Sequence, residues 1–175
     1  VARLRDRLWS VGWTSWWTQT ILSVVSGVLL LFANSVMQRP SPALVGGIVL
    51  ALAGLGTAFC SIFWTWGFTR LSVRLGRQPL TPSEAAKRAR GSLRKGMLLN
   101  LVGMGASLLG TYTIVGTLAA KALTQSAAVG GAAAPVQALD LLIVQANTNT
   151  LAAHFVGLCA SLRLLRAASA CEDLI

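Results

Sequence analysis

Charge is what this chain has least of. Asp, Glu, Lys and Arg make up 11% of its 175 residues and hydrophobic residues 54%, whereas soluble domains carry about 25% charged residues. A soluble globular fold is thereby excluded, and the chain reads as an integral membrane protein. Histidine occurs once, as His154, and acidic residues are few. Cys60, Cys159 and Cys171 form no CxxC pair, which argues against a disulfide framework or a zinc site. GxSxG, HExxH and glycine-rich phosphate loops at a strand-to-helix turn are all missing. Hydrolysis within a membrane needs a paired nucleophile and base or two acids, so the expectation is a protein that is not an enzyme. No internal repeat is present.

What remains is four long apolar runs, each about the 20 residues that a helix needs to cross a hydrocarbon core of about 30 Å. They cover 17–37, 43–68, 97–120 and 139–165. The first is closed by "QRPSP", whose prolines cannot continue a helix. All four are longer than strands and lack barrel alternation. The expected fold is therefore all-α, with four transmembrane helices in one bundle. Residues 1–12 place Leu4, Leu8 and Val11 opposite Arg3, Arg5 and Arg7, a pattern suited to an amphipathic helix lying in the interface, and 13–175 form a single membrane domain. Trp9, Trp13, Trp16, Trp17, Trp64 and Trp66 mark water boundaries. Segment 70–96 reads as a basic loop holding a short helix capped by Thr81 or Ser83, and 122–137 as a flexible or surface-lying connector.

The net charge of +10 is a topology signal. Arg3, Arg5, Arg7, Arg70, Arg74, Arg77, Lys87, Arg88, Arg90, Arg94, Lys95, Arg163 and Arg166 fall on one side, against Arg39 and Lys121 on the other. By the positive-inside rule both termini face the cytosol-like compartment. Nucleic acid is not the expected partner; membrane lipids are, with anionic headgroups or an acidic protein suited to the basic segment. Small residues offer close-packing faces: Ser23 and Gly27 four apart, Gly46, Gly54 and Ala58 on one stripe, Gly103 with Ser107, and Ala106 with Gly110. They serve either the four helices of one chain or a homo-oligomeric or partner interface.

The fourth span is the exception to the general greasiness. "QALDLLIVQANTNTLAAHFVGLCASLRLL" carries Asp140, Gln145, Asn147, Thr148, Asn149, Thr150 and His154. Asp140, Asn147 and His154 share one helical face, and His154 lies about 18 Å from the basic end at Arg166. Ionisable groups at that depth face the bundle or a wet cavity. Asn100, Tyr112, Thr20 and Asn34 are the candidate partners of His154. The cluster either fixes helix register through hydrogen bonds or lines a transport path. Metal ligands are sparse: Asp140, His154, Cys60, Cys159 and Met104 are scattered over three helices, and divalent metals want several such donors. No resident cofactor or confident metal site follows, and the fourth helix is expected to be continuous.

That same segment resembles the signature of a four-span family found in chloroplasts and cyanobacteria, with Asp140, Gln145, Asn147, Asn149, Thr150 and His154 carrying the pattern. "GFTRLSVRL" at the end of the second span adds to the likeness. The family's chloroplast inner-envelope member is described both as a component of the TIC protein-import translocon and as an iron permease, "permease in chloroplasts". The resemblance implies a nuclear-encoded plastid protein whose transit peptide is absent here, with its basic side toward the stroma. Three functions stay open: a subunit of an import translocon, an oligomeric permease moving iron or another ion, or an accessory subunit of another plastid membrane complex, such as one in the thylakoid.

Overall fold

The computed structural model describes residues 1–36, 42–77, 79–128 and 138–172. Among them every regular element is α-helix: α1 (Ala2–Val36), α2 (Pro42–Arg77), α3 (Pro82–Ala128) and α4 (Ala138–Glu172). All four are long and apolar enough to cross a membrane. Each helix packs along the next, α4 closes on α1, and α2 meets α4 across the middle. Part of the inward surface is small and polar, with large apolar residues facing outward beside it. Ser15, Gln19, Ser23 and Ser26 are buried on α1, while Ile21, Val28, Leu31 and Phe32 are exposed. This inversion is expected where lipid is as apolar as leucine and close backbone approach drives association.

Three expected boundaries change. Residues 1–12 are not a separate interfacial helix but the first turns of α1. Leu4 and Leu8 pack against Phe68, Leu75, Ala89, Leu93, Leu164 and Ala168, so their partner is protein, not lipid. The basic segment 70–96 is not a loop: α2 runs to Arg77 and α3 starts at Pro82. The bundle therefore continues beyond the tryptophans as a helical extension with its own core, flanked by the cations. Thirdly, α3 does not stop at Lys121 but continues to Ala128; residues 129–137 of the expected connector lie outside the described residues. Of the first span's closing segment, 37–41 also lie outside them. α4 runs without a break through 146–150.

The cap expected at Thr81 is present. Pro82 takes the first helical position, where its missing N–H costs nothing. Glu84 N–H donates to Thr81 Oγ1 (3.3 Å) and Thr81 N–H donates to Glu84 Oε2 (3.0 Å), a reciprocal capping box. On the outer surface the tryptophans form an edge-to-face ladder, with Trp9, Trp13, Trp16 and Trp17 at successive centroid separations of 5.9, 5.4 and 4.8 Å. Trp64 Nε1 donates to Ser92 O (3.0 Å), and the Arg70 guanidinium lies 3.8 Å from the Trp66 ring centroid. The core of the helical extension gathers the N-terminal end of α1 and the C-terminal end of α4, so the two ends of the described chain lie on one side.

Two outcomes are expected. Backbone amides of Ala85, Ala89 and Leu93 exchange at least about a hundredfold more slowly than free peptide; random-coil exchange would restore the loop. The Thr81 backbone N–H, then its hydroxyl, then Arg88 hold the Glu84 carboxyl below its ordinary value of 4.5. The cap's contribution is thus present above that value and lost as pH falls through the lowered one. Backbone shifts of the first turn of α3 should move toward coil on acidification, and Glu84→Gln should abolish that dependence.

Candidate functional site

Toward the basic end of the apolar spans, four polar side chains from four helices join in one chain of hydrogen bonds. Gln19 on α1 meets Ser61 on α2, whose hydroxyl lies 2.9 Å from Gln19 Oε1 and 2.8 Å from Asn100 Oδ1 on α3. Asn100 Oδ1 is 3.1 Å from His154 Nδ1 on α4. Gln19 Nε2 also donates to Ser15 Oγ (2.8 Å) and Thr65 Oγ1 (3.1 Å), and Asn100 Nδ2 donates to Gly96 O (2.9 Å). The far ring nitrogen, His154 Nε2, lies 3.0 Å from Gly54 O and 3.3 Å from Thr57 Oγ1. The Thr57 hydroxyl donates to Gly54 O (2.7 Å), so each ring nitrogen faces an oxygen acceptor, Asn100 Oδ1 or Gly54 O, and the tautomer sets which of them receives the ring N–H. Gln19, Ser61, Asn100 and His154 are each at most 1% exposed.

Glycines make this approach geometrically feasible. A Cβ at Gly103 would fall on the His154 ring and on Thr57 Oγ1, and one at Gly157 would sit 2.6 Å from both Asn100 Oδ1 and Nδ2. Gly54 likewise leaves room for Ser107 Oγ, and a Cβ at Gly110 would come within 3.1 Å of Ala51 N. Gly27 is in ordinary contact, 3.8 Å from Leu55 Cδ2, while Gly46 has nothing near it. The contact expected of Gly46 belongs to Gly47, whose Cβ would lie 2.7 Å from Ile114 Cγ1. One residue is 100° of helix rotation, enough to turn a glycine from the bundle to the outside.

A second polar tier lies beyond His154. Ser26 Oγ donates to Ala146 O (2.5 Å) and lies 2.6 Å from Thr150 Oγ1, joining α1 to α4. Asn147 Nδ2 donates to Ser107 O and Thr111 Oγ1, both at 2.7 Å, joining α3 to α4. Ser23 Oγ, Ser107 Oγ and Asn147 Oδ1 have no hydrogen-bond partner.

The polar run of the fourth span is thus divided. Asn147, Thr150 and His154 point inward, but Gln145 and Thr148 are exposed and Asn149 is half-buried. Gln145 Nε2 donates to Asn149 Oδ1 (2.9 Å) along the outside of α4. Asp140, grouped with His154 by helical phase, stands about 21 Å away along the axis, where its Oδ2 lies 3.8 Å from Lys121 Nζ. Of the partners expected for His154 only Asn100 is one: Tyr112 is 70% exposed, Asn34 faces outward and Thr20 donates to its own helix at Trp16 O. Gln19, Ser61 and Thr57 were missed, although Ser15, Gln19, Ser23 and Ser26 recur on one stripe of α1. Arg74, Lys87, Arg88, Arg94 and Lys95 are exposed with Arg70, and Arg90 is half-buried. Among the described residues no three His, Cys, Asp or Glu side chains converge as a metal site would need.

Residues 1–168 match the family "Protein of unknown function (DUF3611)", and the chain belongs to that family. It is 43% identical over 173 residues to "Protein TIC 21, chloroplastic" of Arabidopsis thaliana, covering 94% of this chain and 56% of that protein. The chain therefore spans little more than half the length of this curated relative. No solved structure matches it.

Interhelical hydrogen bonds in membranes contribute about 0.6 to 2 kcal/mol each, and overpacking costs about 1 to 3 kcal/mol. Gly103→Ala should lower stability by an amount in the latter range. Because its methyl group competes with the imidazole, Gly103→Ala with His154→Ala should cost less than the two separate losses combined; strict additivity in reversible unfolding would contradict the contact.

Proposed function

We propose that this protein is a non-enzymatic, rigid four-helix subunit of a chloroplast inner-envelope assembly that imports proteins, with its basic end and both termini on the stromal side. One observation carries the reading: the polar groups at the bundle centre are used in bonding the four helices to one another, and glycines draw those helices together. Such a bundle has no room for a polypeptide along its own axis, so participation in import requires other subunits. The name of the relative, TIC 21, chloroplastic, supports a chloroplast setting and a part in import. The thirteen cations at one end support the orientation by the positive-inside rule.

An iron or ion permease acting as an oligomer is the second reading. It is favoured by the three unpartnered oxygens, Ser23 Oγ, Ser107 Oγ and Asn147 Oδ1, which belong to three helices and could contribute to a path. Against it stands the separation of Asp140 from His154. Iron would in any case be cargo and not a resident cofactor.

Purification of the native protein in mild detergent, with mass spectrometry of what stays bound, separates the two. Import-translocon subunits in stoichiometric amount are the expected outcome, with ferrous-iron uptake into proteoliposomes no higher than in protein-free vesicles. A homo-oligomer lacking other subunits, with uptake abolished by His154→Ala, would overturn the proposal.

A further inference from the structure

Between α1 and α4, at the level of the tryptophan ladder, lies a groove of about 400 Å³. Its two ends differ in chemistry. Phe155 and Val156 line the deep end, and Arg163, about 12 Å further along α4, lines the outer end. Arg163 is exposed and makes no ion pair or hydrogen bond among the described residues. Ser10 lines the groove from α1, and its hydroxyl reaches Arg7 O only at 3.5 Å, so it can be recruited as a donor. The Cys159 thiol lies on the wall between the two ends.

A cation and a weakly engaged hydroxyl at the water boundary, continuous with an aromatic and aliphatic floor inside the hydrocarbon, match an amphiphile carrying negative charge. A free inorganic anion would leave the floor uncovered. The cavity of about 560 Å³ between α1 and α2 contrasts with it. There Asp6 Oδ1 lies 3.2 Å from Arg5 Nε, placing a carboxylate where an anion would sit.

We propose that the α1/α4 groove binds an anionic glycerolipid of the leaflet at the basic end. One acyl chain lies against Phe155 and Val156, and the headgroup phosphate or sulfonate meets Arg163 and the Ser10 hydroxyl. The site is independent of which function the bundle serves.

The test is native mass spectrometry of the whole purified chain titrated with dioleoyl phosphatidylglycerol or dioleoyl phosphatidylcholine. Retention of the anionic lipid should exceed that of the zwitterionic one. Arg163→Gln should reduce that preference about fivefold, the scale of one interfacial cation. Arg166→Gln, which does not line the groove, should leave it intact, and inorganic phosphate should not displace the lipid. In a Cys60→Ser background, alkylation of Cys159 should be slower in phosphatidylglycerol nanodiscs than in phosphatidylcholine nanodiscs. Equal retention of both lipids, or a preference that survives Arg163→Gln, would overturn the assignment. Displacement by phosphate would recast it as a simple anion site.

Discussion

Hydrocarbon offers a polar side chain no solvent, so every amide, hydroxyl and imidazole within the spans must find its partner in protein. In this bundle that requirement is met at the junction of Asn100 and His154, while Ser23 Oγ, Ser107 Oγ and Asn147 Oδ1 remain exceptions to it. Asn100 Oδ1 receives His154 from α4 and Ser61 from α2, and Ser61 in turn connects to Gln19 on α1. Removing either member of the junction strands the other, and an unsatisfied buried group costs more than the bond it made was worth. The arrangement also dictates where glycine must stand, since Gly103 and Gly157 occupy the positions at which any side chain would strike the ring or the amide. The node thereby fixes residues on all four inner faces at its own level.

The basic end adds a second means of fixing the helices. Leu4, Leu8, Phe68, Leu75, Leu93 and Leu164 form an apolar core that runs from the level of the tryptophans outward, and where it meets water the hydrophobic effect operates as it does in soluble proteins. A second apolar core, of Leu30, Ala51, Leu55, Ile114 and Ile143, lies within the spans, so the bundle is held by the polar contacts around His154 and by apolar contacts to either side of them. The cations surrounding the helical extension give it a charged surface.

Four helices long enough to span a membrane and the common side of the two ends were legible from length, hydropathy and charge. The helical extension was less so, because charge density in "RLSVRLGR" and "PSEAAKRARGSLRK" masks the spacing of Leu71 with Leu75 and of Ala85, Ala89 and Leu93. The polar run was legible as a cluster but not in its division. The rule that polar groups avoid lipid points all of it inward, yet Gln145 and Asn149, four apart, bond to each other and so reduce the penalty of facing out. Asp140 shares the helical phase of His154, but phase says nothing about depth, and the Lys121 cation sets its place. Gln19 and Ser61 went unnoticed because each is a single polar residue in its neighbourhood, significant only when the opposing helix is known.

His154 is the chain's one histidine, which makes a direct measurement of the central node simple. The protein, purified without a histidine tag, labelled with ring-15N histidine and placed in lipid nanodiscs, gives a single imidazole to observe by NMR. A slowly exchanging ring N–H with cross-relaxation to the Asn100 side chain and the Gly103 α-protons is the predicted result. A ring N–H in rapid exchange with water, showing no contact to α3, would contradict the account and place His154 in a hydrated passage.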